Sequence, residues 1–301
     1  MFSCASPIHQ VKTTEEHTKT ISENVDTILS FLSANYEKIK NCNKRNIEEY
    51  LGTDLIGFFR TTNESEKLQE IKTKLSNDEN YLKYKTFVGY DSEGIEKNRR
   101  KQIENCVAQI TEDNLDEWKN YLVKEILNDY NDQNQGEYHN VHYFLQMLAT
   151  KKPDDGKKLL GVPELSKFNI ALLIGLLASN KKSQTKEDIK TKIEEGKSLS
   201  EIASAFFSVK DIDEEPISKL AHKILKNDDI PPIIEILHTV CRQYPTNKNL
   251  KWIFIKIIEK FTDLSFYEWP QRISYLTEEI TKDLSAEEYE IILNNLIMKK
   301  R

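Results

Sequence analysis

Apolar residues recur at every third or fourth position along most of this chain, and that spacing puts them on one stripe of a helix. Ile21, Val25, Ile28, Leu29, Leu32 and Tyr36 follow it, and so do Leu115, Trp118, Leu122, Ile126 and Leu127. Breakers are scarce, with 9 Gly and 8 Pro in 301 residues. A β-sandwich needs a turn every 8–12 residues or so and many Gly and Pro to make them. The expected fold is therefore all-α, a multi-helix bundle. Ser166 to Ser179 is apolar on every face and is expected at its centre. Residues 231–301 read as two antiparallel helix pairs of about 35 residues each, a period shared by helical-repeat arrays.

The organisation expected is a loose leader over residues 1–12 and an N-terminal helical segment over 13–130 packed on a larger helical domain over 136–301, either as two bodies or as one continuous core. Within these, helices are expected over 43–59, 64–75 and 94–110. Residues 77–94 break the period, with Phe87 to Tyr90 as a short strand or loop anchor. The polar run Lys151 to Lys158 reads as a loop, and Asp154-Asp155-Gly156 as a turn, because it lacks the alternating acids and closing Glu of a calcium loop. Gly196 should stop one helix. Ser198 with Glu201, and Ser285 with Glu288, have capping-box spacing.

Charge narrows the function. Lys and Arg total 43 against 49 Asp and Glu, for a net charge of −6. Ser198 to Ser204 resembles the opening of a helix-turn-helix, but Asp211, Asp213, Glu214 and Glu215 would repel phosphates, so DNA is not an expected partner. Lys97, Arg99, Arg100 and Lys101 form the densest basic run, read as a solvated helix face or as a patch for an anion or an acidic partner. No apolar run reaches the 18 residues that a membrane span needs. The N-terminus lacks the basic and apolar regions of a secretory signal. Cys4, Cys42, Cys106 and Cys241 are widely spaced, which suits reduced thiols in a cytosol; Cys42 and Cys106 read as core filler.

One stretch carries chemistry. Tyr138-His139-Asn140, with His142 shortly after, and the apolar helix of residues 168–180, resemble the metal-binding core of the HD-superfamily phosphohydrolases and phosphodiesterases. The resemblance covers about residues 136–180. It implies a helical core in which His139 is a ligand or general acid, with His142, Asn140, Asn180 and a distant acid such as Asp228 or Asp229 in support. This chain departs from the family pattern. Without a gap the second His of the family falls on Tyr143, and His142 is one position early, about 100° away around the helix. Ser179-Asn180 stands where the family has its His-Asp pair. A hydrolytic ion needs anionic or imidazole ligands to hold it and to acidify its water. The resemblance therefore implies an HD-like scaffold with a degenerate metal site.

The acidic clusters at Glu278-Glu279 and Glu287-Glu288-x-Glu290 are similar to the C-terminal translocation signals of type IV secreted bacterial effectors. The leading expectation is a non-enzymatic helical protein–protein interaction module, a secreted effector binding a host protein, with no cofactor. The first alternative is an HD-like phosphohydrolase requiring a divalent metal at His139, His142 and Asn180. The second is a helical scaffold that self-associates into homo-oligomers. The expected location is the cytoplasm, or a host cytosol reached without a classical signal peptide.

Overall fold

A computed structural model describes residues 73–74, 77–88, 93–128, 130–131, 133, 135–209, 212–227, 230–260 and 278–297, with residues 27, 30–31 and 34–35 besides. Among these residues the chain is all-α, with no strand. The helices expected over 43–59 and most of 64–75 lie outside the described residues, as do Cys4, Cys42, Asp228 and Asp229. The chain divides into two compact units, one of residues 1–102 with 129–138, the other of residues 103–128 with 139–301.

In the first unit, helix α1 spans Glu79–Phe87. Residues 77–94 were expected to interrupt the helical pattern, and here the structure corrects the sequence. Tyr84, Thr86, Phe87 and Val88 are all buried, and that burial holds a helix whose own periodicity is faint. Helix α2, Glu93–Gln109, begins in this unit, and the Thr86 hydroxyl lies 3.4 Å from the Gln102 side-chain oxygen.

The second unit carries α3 (Leu115–Tyr121), which runs into a π-helical turn over Leu122–Ile126, and then α4 (His139–Lys151), α5 (Pro153–Leu160) and α6 (Asn169–Ala178). It continues with α7 (Lys182–Glu195), α8 (Leu199–Ser208), α9 (Glu214–Asn227), α10 (Ile230–Gln243), α11 (Lys251–Lys260) and α12 (Ala286–Ile297). One apolar cluster runs from Leu173 in α6 to Leu284 before α12.

Helices α4 and α6 lie side by side and run in the same direction. The His142 ring meets Phe168 just ahead of α6, and seven residues further along both, Ala149 meets Gly175. Helix α5 packs across the same alanine through Gly156. The expected loop at 151–158 is thus a helix. Pro153 sits at its first position, Asp154 and Asp155 occupy its first turn, and Lys157 and Lys158 its last, so proline geometry and charge both suit the helix dipole. The Lys152 ammonium donates to the carbonyls of Ile110 and Ala108 at the C-terminal end of α2.

Helices α8 and α10 repeat the parallel arrangement with α9 between them in sequence. The Thr239 hydroxyl donates to the Ala203 carbonyl at 2.7 Å, and the Gln243 amide donates to the carbonyls of Phe206 and Val209 at 3.0 and 2.7 Å. The Phe206 and Val209 carbonyls close the C-terminal end of α8, where backbone acceptors lack helical partners. Gly196 ends α7 with φ of 75°, as expected. The capping box expected at Ser198 does not form: Ser198 itself has φ of 54°, and its side chain makes no capping bond. The box at Ser285 does form. The Glu288 N–H donates to the Ser285 hydroxyl at 3.2 Å, and the Ser285 N–H to the Glu288 carboxylate at 2.7 Å.

Candidate functional site

Tyr138 ends a short 3₁₀ turn, Gln135–Tyr138, with its ring edge-on to Tyr130 at 5.1 Å. His139 begins α4 and is exposed. Asn140 turns inward and is 2% exposed, with its amide nitrogen unpartnered among the described residues. His142 is half-buried, its ring 4.7 Å from that of Phe168. Burial, and then the charge of His139, push the His142 imidazole below its ordinary value of 6.5. The His142 and Phe168 rings are tilted 56° to one another.

Asn180 lies at the opposite end of α6. The helix between Phe168 and Asn180 is ten residues long, roughly 15 Å at 1.5 Å per residue. Ser179 closes it, donating to the Leu176 carbonyl at 2.7 Å and accepting from the Lys181 N–H at 3.1 Å. The structure therefore groups His142 with Phe168 and leaves Asn180 apart from both histidines. Metal–ligand bonds are near 2 Å, so His139, His142 and Asn180 do not share one ion as placed. Among the described residues, no group of three or more His, Cys, Asp or Glu side chains is arranged to hold a metal. The two described cysteines, Cys106 and Cys241, are unbridged, and burial raises the Cys241 thiol to about 12.

The basic run on α2 is split by the helix. Arg99 is 7% exposed and turned inward, while Arg100 and Lys101 are exposed; the Lys97 side chain lies outside the described residues.

Asn180 belongs to another feature, an open cleft of about 800 Å³ that brings together α5, the end of α4, the α6–α7 turn and Glu112. Ion pairs cross it. Lys158 meets Glu112 at 2.8 Å, Lys181 meets Asp154 at 2.7 Å, and Lys157 meets Asp188 at 2.6 Å. Lys158 and Lys181 hold the carboxyls of Glu112 and Asp154 below the usual range.

The C-terminal acids are divided in use. Glu278 and Glu279 pair with Lys282, and Glu288 joins the cap of α12 and pairs with Lys251 at 2.9 Å. Glu287 and Glu290 are exposed and make no hydrogen bond or ion pair among the described residues. Around α12, Ile291, Glu288, Ile292, Tyr289 and Leu293 follow one another over an arc of about 200°. A core-facing helix needs about half that width. Helix α11 packs on α12, and Ile292, at the middle of the arc, packs on the core. The flanks stay open: Tyr289 is 44% exposed, Ile291 40% and Leu293 50%. Sequence reading took this segment for its acids and passed over its apolar width, although AEEYEIILNNLI carries that signal. No single described helix is long and apolar enough to cross a membrane.

Comparison with protein-family models, with curated proteins and with solved structures returns no match.

Proposed function

We propose that this chain is a helical protein–protein interaction module whose contact face is the pair of open flanks on α12. The observation that carries the reading is the exposure of Tyr289, Ile291 and Leu293 on a helix anchored by one narrow seam. Single exposed apolar residues are ordinary, but here Tyr289 and Leu293 share one flank of α12 and Ile291 opens the other, each flank beside a carboxylate with no partner among the described residues. Glu290 lies beside Leu293 around the helix, and Glu287 beside Ile291. The partner that fits is an amphipathic helix with an apolar face edged by Lys or Arg, the helix-in-groove mode of recognition. Contact between two copies of these flanks would bring like charges together, which disfavours self-association through this face.

The test is binding of two model peptides, one of Leu and Lys in helical spacing, the other with Glu replacing every Lys, followed by fluorescence anisotropy. The Lys peptide is expected to bind saturably, and a Tyr289→Ser/Leu293→Ser double variant to bind it about tenfold more weakly. The Glu peptide is expected not to bind. Equal binding of the Lys peptide to the double variant sinks the reading. A wild-type dimer that the same variant disperses in sedimentation would give these flanks to a second copy of the chain.

A further inference from the structure

The cleft beside α5 has an imbalance that its ion pairs do not remove. Its lining holds Lys151, Lys152, Lys157, Lys158 and Lys181 against Glu112, Asp154 and Asp155. Adding Asp188, which reaches Lys157 from outside the lining, still leaves positive charge in excess. The excess sits on two side chains. The Lys152 ammonium is bonded to carbonyls at the C-terminal end of α2, which carry a partial charge but no formal one, and Lys151 makes no hydrogen bond or ion pair among the described residues. The Asn180 amide, also in the lining, is likewise exposed and without a partner among the described residues. The first turn of α5 brings the positive end of its dipole to the same place. All this stands on a chain of net charge −6.

From this we infer that the cleft is a binding site for a small anion carrying several negative charges, of the oligophosphate class, held by Lys151, Lys152 and Asn180. Ammonium groups bind phosphate as point charges, without the planar fork that carboxylate recognition favours. A multiply charged anion also reaches Lys181, because its pair with Asp154 is exposed and exposed pairs are weak. Apart from Pro153 the lining is Lys, Asp, Glu and Asn, so it holds no aromatic or branched apolar side chain to select an organic group attached to the phosphates. A free oligophosphate and the triphosphate of a nucleotide should bind alike.

The experiment is titration calorimetry of the full chain with tripolyphosphate, with orthophosphate and with ATP, in metal-free buffer at fixed ionic strength. Tripolyphosphate is expected to bind one to one, ATP to bind within about twofold of it, and orthophosphate to bind at least tenfold more weakly. Lys151→Glu should weaken tripolyphosphate at least fivefold and Asn180→Ala about threefold. Lys226→Glu, an equal charge change at an exposed position on α9, should leave binding unchanged. Both cleft substitutions are at exposed side chains, and a circular dichroism melt checks that the fold is kept. The inference is overturned by absence of saturable binding, by ATP binding tenfold tighter than tripolyphosphate, or by Lys226→Glu weakening it as much as Lys151→Glu does.

Discussion

Gly175 lies so close to Ala149 that a methyl group on the glycine would stand 2.7 Å from the alanine Cβ. The same methyl would also overlap the Gln146 carbonyl, a backbone atom that cannot step aside cheaply. A methyl on Gly156 would likewise come within 2.6 Å of both the Cα and the Cβ of Ala149. One small residue on α4 thus sets how closely α5 and α6 approach.

Gly175→Ala should therefore destabilise the protein, although alanine is the better helix former by about 1 kcal/mol. Overpacking a tight contact costs about 1–3 kcal/mol, so after the propensity gain the net loss by urea denaturation should be up to about 2 kcal/mol. Gly156→Ala should behave the same way. Stabilisation by either substitution would mean that these helices do not approach as described.

Ser198 offers the opposite case. Its φ of 54° is one that an L-residue adopts at a cost of roughly 1 kcal/mol, and glycine adopts it freely. Ser198→Gly should raise stability by about 0.5–1 kcal/mol, and Gly196→Ala, at φ of 75°, should lower it by about 1 kcal/mol. Differential scanning calorimetry reads both.

His142 gives the chain a particular pH dependence. Its folded value lies below the ordinary 6.5 because burial disfavours the imidazolium. Below about pH 6.5 the unfolded chain takes up a proton that the folded chain refuses, so stability falls as the pH is lowered through that window. In His142→Gln the slope of stability between pH 6.5 and 5 should be reduced. An unchanged slope would mean that burial does not lower the His142 value.

Glu288 acts in a lower window. The Ser285 N–H, then the Lys251 ammonium, hold its carboxyl below the ordinary 4.5. Its contribution is present above that value and is lost as the pH falls through the lower, folded value. Ser285→Ala removes half of the box and should cost about 1 kcal/mol. The loss should appear as faster hydrogen exchange at the start of α12 before any global unfolding.

How far the fold was readable depends on whether the signal is local. Gly196 and the Ser285–Glu288 box were legible because helix ends are written in the few residues around them. Helix α5 was not. Lys-Lys-Pro-Asp-Asp-Gly has the composition of a loop, and its helix signals (Pro153 first, acids next, lysines last) are outweighed by that composition; the seating of Gly156 on Ala149 is a tertiary contact that the local sequence does not show. The cleft was hidden for the same reason, since Glu112, Lys158 and Lys181 come from separate segments. The motif around His139 was legible as residues but not as a place: the sequence set His142 and Asn180 in one motif, and α6 holds them at opposite ends. The open flanks of α12 could have been found, because its apolar arc is too wide for one packing seam.

The claim that α12 is a contact face is tested most directly by hydrogen exchange across the whole chain, with and without the Leu/Lys peptide. The expected result is slowed exchange concentrated in residues 286–297, and its loss in the Tyr289→Ser/Leu293→Ser variant. Protection that falls on other helices while exchange in 286–297 is unchanged would contradict it.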